Sequence, residues 1–236
     1  MNLNLPPPLN SNQALDPRHV LYVATTGGGK TTAIKKLGQI PKGAQAIFFD
    51  PYENYAGKKF QGQMVVKYTE FMPFLKALVS ARKKVKKGGF KIALVKPPTH
   101  ENLEIFSQIA WSMGDGLKPE LHVCIEELAT ACDTVGKLKG TAGELWRGGR
   151  QYGLIVHSAF QRMQEVPKTV INNTPIWWVG SPNSINDVNY IAKAKGVDPE
   201  LITSLKIPKV NNGMADYLLI SDGFGNIEQG QINCKS

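Results

Sequence analysis

The chain is short of cysteine, histidine and long apolar runs, and each shortage closes off a class of protein. Its three cysteines, Cys124, Cys132 and Cys234, form no CxxC pair, so neither a disulfide framework nor a cysteine zinc site is expected. The four histidines, His19, His100, His122 and His157, show no metal-ligand spacing with them. That pattern suits a reducing compartment. No stretch reaches the roughly 18 apolar residues that a membrane span needs. The segment Met1–Pro8 lacks the basic start and apolar core of a secretory signal. No internal repeat appears, and no linker divides the chain.

With 236 residues, the chain is long enough to bury a full core as one α/β domain without disulfides. Residues 1–17 are rich in proline and asparagine and lack periodicity, so they read as an extended arm; 18–236 read as a single domain. The formal net charge is +9, which permits a polyanionic partner such as nucleic acid or an anionic membrane surface. Much of the excess sits in Arg82-Lys83-Lys84-Val85-Lys86-Lys87. This run reads equally as a solvated helix end, where cations favour the C-terminal dipole, or as a nucleic-acid contact.

The most informative stretch is Val20 to Thr32. An apolar run of strand length, Val20-Leu21-Tyr22-Val23-Ala24, ends in Thr25-Thr26-Gly27-Gly28-Gly29-Lys30-Thr31-Thr32. The following Ala33-Ile34-Lys35-Lys36-Leu37 has helical spacing. This is the strand–loop–helix of a phosphate-binding P-loop, with Ala24 where the first glycine usually stands. Glycines let the backbone wrap close to an anion, and the amides of Thr26 to Thr32 would face it at the positive end of a helix. Lys30 would reach the β- and γ-phosphates of ATP, and the Thr31 hydroxyl would ligate Mg²⁺.

Downstream, strands alternate with helices, which predicts a mostly parallel sheet with helices on both faces. Strands are expected at 45–49, 64–68, 91–95, 121–125, 154–158 and 175–179. Helices are expected from 69 to about 84, from 100 to 113, from 141 to 151, from 185 to 195 and from 199 to 205. Residues 216–220 and 226–232 read as a closing hairpin around Gly223 and Gly225.

A P-loop that hydrolyses its nucleotide needs an acid for Mg²⁺ and a means of activating water. The apolar strand Leu121–Ile125 ends in Glu126-Glu127. Glu126 would hold the metal through water, and Glu127 would orient and polarise the attacking water. Gln161, at the tip of the strand expected beside the P-loop strand, is positioned to sense the γ-phosphate. Arg147 and Arg150 are three residues apart, so one helix face would carry both.

In order, these features resemble the FtsK–HerA superfamily of DNA-pumping ATPases: Lys30-Thr31, the strand end Asp50-Pro51-Tyr52, Glu126-Glu127, the segment Leu145-Trp146-Arg147-Gly148-Gly149-Arg150-Gln151-Tyr152-Gly153-Leu154, and Ser158-Ala159-Phe160-Gln161-Arg162. The small size resembles the genome-packaging ATPases of tailless viruses with an internal membrane. The likeness spans roughly residues 19–180. It implies a RecA-like, ASCE-type P-loop fold with a small C-terminal β-hairpin extension, and ATP hydrolysis coupled to movement of double-stranded DNA. It also implies a homo-oligomer, a hexameric ring in which Arg150, or Arg147, enters the neighbouring subunit's site. The implied location is a virion packaging vertex and the host cytoplasm, docked on a capsid vertex or membrane-associated portal protein. Other readings are a translocase of the same superfamily outside packaging, and a small-molecule P-loop kinase. The segment from Arg162 to Ile176 is short and poor in arginine for a kinase lid. Asp133-Thr134-Val135-Gly136 matches a GTPase motif, but no Asn-Lys-x-Asp guanine reader accompanies it.

Overall fold

The computed structural model describes residues 3–83, 89–132, 134–221, 223 and 225–235. Lys84, Val85, Lys86 and Lys87 of the basic run, and Asp133 of the GTPase-like match, lie outside the described residues.

The P-loop strand β1 (Val20–Val23) leads into α1 (Lys30–Lys36). Then follow β2 (Gln45–Phe49), the short hairpin β3 (Lys59–Phe60) and β4 (Gln63–Met64), β5 (Val66–Tyr68), α2 (Phe71–Lys83) and β6 (Phe90–Leu94). Next are α3 (His100–Ser112), β7 (Leu121–Ile125), α4 (Leu128–Ala131), α5 (Gly140–Gly148) and β8 (Leu154–Phe160). The chain closes through α6 (Lys168–Asn173), β9 (Ile176–Val179), α7 (Ile185–Lys195), α8 (Pro199–Thr203), β10 (Met214–Ile220) and β11 (Ile227–Asn233).

Nine strands form one sheet in the order β11-β10-β9-β1-β8-β7-β2-β6-β5. From β9 to β5 every pairing is parallel. The hairpin β10–β11 continues the sheet antiparallel on the β9 edge. The strand order inserts β8 between the P-loop strand and the acidic strand β7, as a P-loop fold of the expected type requires. Parallel strands need crossovers that cover the sheet, and both faces are covered here, unevenly. Residues alternate between faces along each strand. Leu21, Val23, Ile47, Phe49, Val123 and Ile125 join one core with Phe74 and Leu78 of α2, Phe106 of α3, Trp146 of α5 and Val188 of α7. Tyr22, Ala46, Phe48, Cys124 and Trp178 join the other with Ala33 and Ile34 of α1, and with Tyr55, Phe60 and Val65 from the connection after β2.

Two expectations need correction. The helix expected over 141–151 ends at Gly148, and a 3₁₀ turn, Gly149–Tyr152, takes over. Arg147 and Arg150 therefore do not share one helix face. In the basic run, Arg82 is not a solvated end. Its four-residue spacing from Phe74 and Leu78 turns it inward, and it is 5 % exposed. There its guanidinium donates to Gln45 Oε1 at 2.6 Å, Pro119 O at 2.7 Å and Met113 O at 2.9 Å.

The N-terminal arm is extended and docked. Leu9 bridges to Asp115, the Asn12 N–H donates to Gln151 O at 2.8 Å, and Leu3 and Leu5 pack against the core.

Candidate nucleotide-binding site

β1 delivers the P-loop to the C-terminal end of the parallel strands, where α1 opens. Gly27 and Gly29 have φ of 72° and 95°, the left-handed region that glycine adopts without strain. A Cβ on Gly27 would meet nothing within 4 Å, so this residue leaves the loop open. Gly28 and Gly29 are needed by the chain's own packing: a Cβ there would come within 2.8 Å of the Cβ atoms of Ala24 and Ala215, respectively. The first helical bond of α1 runs from the Ala33 N–H to Gly29 O at 2.8 Å. The amides just before it have no acceptor in the helix. Lys30 Nζ donates to Ala24 O at 2.8 Å and Thr25 O at 3.1 Å. Burial holds the Lys30 ammonium below its ordinary pKa, and Glu126 and Glu127 pull the other way.

Both acids follow β7, and the backbone separates their duties. The Glu126 N–H continues the sheet by donating to Phe49 O at 3.1 Å, and the side chain is 3 % exposed. Burial pushes its carboxyl up to about 7; Asp50 and Glu127 add to the rise, and the Tyr55 hydroxyl and Lys30 oppose it. Glu127 then turns out of the sheet at φ 52°, ψ 42°, to cap α4. A non-glycine residue in this region carries backbone strain of order 1–3 kcal/mol, a cost that concentrates at functional sites. Gln161 Nε2 donates to Glu127 Oε1 at 3.0 Å, and the Thr26 hydroxyl donates to Gln161 Oε1 at 2.8 Å. Thr26, Gln161 and Glu127 thus form one hydrogen-bonded chain from the P-loop to the acidic strand.

A cleft of about 450 Å³ gathers Thr26 to Thr32, Glu126, Glu127 and Gln161. The residues fit a magnesium nucleotide. The P-loop brings an ammonium and the Thr31 hydroxyl at the start of α1, and β7 brings two carboxylates to the same cleft. Asn54, Pro208 and Cys234 also line the cleft. Sequence reading missed all three. Asn54 follows the Asp50-Pro51-Tyr52 strand end, which was a usable signal; Pro208 opens a 3₁₀ turn before β10 and Cys234 follows β11, and no local pattern marks them.

Arg147 and Arg150 stand apart from the cleft. The Arg147 guanidinium lies back along α5, donating to Leu138 O at 2.8 Å and pairing with Glu144 at 2.7 Å. Arg150 serves the arm: it donates to Gln13 O at 2.9 Å, Gln13 Oε1 at 3.2 Å and Leu15 O. Its turn precedes β8, and Gln161 follows it. The seven residues of β8, at roughly 3.3 Å each, put Arg150 beyond reach of its own subunit's P-loop. Gly148 and Gly149 do not open the surface to a neighbour. A Cβ on either would lie 3.2 Å from the Trp111 ring or 3.3 Å from Leu154 Cβ of the same chain.

The sequence is 31 % identical over 195 residues to protein P9 of Pseudoalteromonas phage PM2, an alignment covering 81 % of each chain. No protein-family model matches it. The fold is similar to the genome packaging NTPase B204 from Sulfolobus turreted icosahedral virus 2 in complex with AMPPCP, at 13 % identity and a TM-score of 0.64, covering 92 % of this chain and 98 % of that one. It is also similar to the bacterial conjugative coupling protein TrwB, at 13 % identity and a TM-score of 0.59, covering 96 % and 87 %.

Proposed function

The chain belongs to the family of phage PM2 protein P9, among P-loop ATPases of the FtsK–HerA type, and on that premise we propose that it is an ATP-driven motor that moves double-stranded DNA into a viral capsid. The observation that carries the hydrolytic part is the chain Thr26–Gln161–Glu127, which ties the carboxylate of Glu127, a residue with a left-handed backbone, to the phosphate loop. The tie of Glu127 to the phosphate loop through Gln161 supports an acid that acts on water rather than on a second substrate.

ATP with Mg²⁺ would supply the phosphoanhydride to be cleaved and much of the charge neutralisation. Lys30, which now donates to two loop carbonyls, would turn to phosphate oxygens. Thr31 and Glu126 would hold Mg²⁺, Glu126 through water. Glu127 would orient the attacking water and accept its proton, while Gln161 holds the Glu127 carboxylate and links it to Thr26. Because Thr26 lies in the phosphate loop and Gln161 at the tip of β8, this hydrogen-bonded chain would couple the nucleotide to the strand tip.

DNA as the cargo is supported by the roles of the similar proteins, a genome packaging NTPase and a conjugative coupling protein, and by the net charge of +9. Contact through phosphates would be independent of sequence and steeply salt-dependent. The working form is a ring, a hexamer, docked on a capsid vertex or a membrane-associated portal of the virion. An arginine supplied in trans adds about 10³–10⁵ in rate in such enzymes. Arg147 and Arg150 are the candidates. Arg147 is carried back towards the P-loop end of the sheet, and Arg150 must leave the arm to act. Mixing Lys30→Ala subunits with Arg147→Ala or Arg150→Ala subunits should restore turnover for the true finger, and no recovery in verified mixed rings would refute action in trans.

The test of the reading is ATP turnover with and without duplex DNA. Strong stimulation by DNA of any sequence is expected. Turnover that appears only with a small phosphoryl acceptor would replace the motor with a kinase.

A further inference from the structure

The connection after β2 carries a buried assembly that ends on Glu126. Asp50, fully buried, accepts three backbone N–H bonds, from Asn54 at 2.7 Å, Tyr55 at 2.9 Å and Ala56 at 2.8 Å. These bonds close the turn and fix Tyr55. The Tyr55 ring stacks on Phe48 at 4.7 Å between centroids and tilts against Phe60 at 6.1 Å. Lys35, four residues after Thr31 on α1 and so on the same helix face, sets its ammonium 5.1 Å over that ring and donates to Asn54 O at 2.9 Å. The Tyr55 hydroxyl donates to Glu126 Oε1.

We propose that Tyr55 is the positioning residue for Glu126: it occupies one carboxylate oxygen and thereby presents the other to the metal side of the cleft. This rests on the assignment of Glu126 to Mg²⁺. Packing alone explains the ring but not the hydroxyl. A phenylalanine would fill the same space between Phe48 and Phe60, whereas the hydroxyl meets a carboxylate that lines the nucleotide cleft. A carboxylate with one oxygen tied has one way to face a ligand, and a partner of this kind is typically worth 10–100-fold in metal affinity or activity. The Asp50 turn and Lys35 hold the tyrosine from two directions, so Tyr55 links Glu126 to α1 and to the end of β2.

The experiment uses the full chain and AMPPCP, whose affinity is measured by calorimetry in Mg²⁺ and in EDTA. The quantity read is the factor by which Mg²⁺ tightens binding. Tyr55→Phe should lower that factor by about tenfold while leaving the EDTA affinity unchanged, and excess Mg²⁺ should restore turnover. An unchanged factor, or an equal loss of affinity with and without Mg²⁺, would make Tyr55 a packing residue only. Glu126→Gln separates the premise from the inference. If that variant keeps the wild-type factor, Glu126 does not face Mg²⁺ and the inference falls with it. If Glu126→Gln loses the factor and Tyr55→Phe does not, only the inference falls. Should Tyr55→Phe fold less stably, the same factor is read in the double variant: positioning through Glu126 predicts no further loss beyond Glu126→Gln, and an additive loss contradicts it.

Discussion

Acid should weaken this fold well before its ordinary carboxylates are protonated, because three imidazoles sit where they cannot take a proton. His122 Nδ1 lies 2.9 Å from His157 Nε2, whose other nitrogen lies 3.3 Å from the Tyr22 hydroxyl. His19 Nδ1 accepts from the Val156 N–H at 3.1 Å. Burial lowers His19 to about 4 and His122 to about 3, with Lys91 and Arg18 adding to the drop at His122, and it lowers His157 in the same direction. An unfolded imidazole titrates near 6.5, so below that pH the unfolded chain binds protons that the folded chain refuses, and stability falls as pH falls. A pH of about 5 is roughly 1.5 below the unfolded imidazole value, which costs about 2 kcal/mol per buried imidazole and about 4 kcal/mol for His19 and His122 together. Glu126 acts with opposite sign. Its folded carboxyl is raised to about 7, so the folded chain gains a proton over the same window and returns about 2 kcal/mol. Urea unfolding near pH 7 and pH 5 should therefore show a net loss of at least about 2 kcal/mol, against a typical total of 5–15. Glu126→Gln, which removes the offset, should lose about 2 kcal/mol more over that interval than the wild type. A wild-type stability that is flat or rises between those pH values would refute the buried-histidine account.

Glu127→Gln keeps the shape and the Gln161 contact but removes the charge that polarises water. It should bind ATP with wild-type affinity and turn over at least 10²-fold more slowly; normal turnover in Glu127→Gln together with loss in Glu126→Gln would reverse the two roles. Arg82→Ala should cost about 3 kcal/mol in denaturant unfolding, because it strands the buried Gln45 Oε1 and removes charge-assisted bonds to two part-buried carbonyls, and a change below about 1 kcal/mol would show that water satisfies them.

Local chemistry was what the sequence disclosed. The P-loop was legible because strand, glycines, Lys30 and Thr31 are contiguous, and Glu126-Glu127 because an apolar run stops abruptly at two charges. The position of β8 beside β1 followed from the same reading. What escaped depends on distance along the chain. Tyr55 and Glu126 are 71 residues apart, and Cys234 reaches the cleft only because β10 pairs with β9. The hairpin β3–β4, with two-residue strands, is too short to show a period, and α4 and α6 are single turns or little more. Arg82 was misread because a charge run suggests solvent, although its spacing from Phe74 and Leu78 marks the inner face of α2. Arg147 and Arg150 read as one helix face because three-residue spacing assumes an unbroken helix, which the 3₁₀ turn at Gly149 interrupts.

The central claim is that ATP hydrolysis moves this protein along duplex DNA. The direct measurement is displacement of a labelled third strand from a triplex placed on a linear duplex, followed over time. ATP should drive release from wild-type protein, with no release when AMPPCP replaces ATP or when Glu127→Gln replaces the wild type. Release that proceeds equally with AMPPCP, or vigorous DNA-stimulated hydrolysis with the third strand left in place, would contradict it.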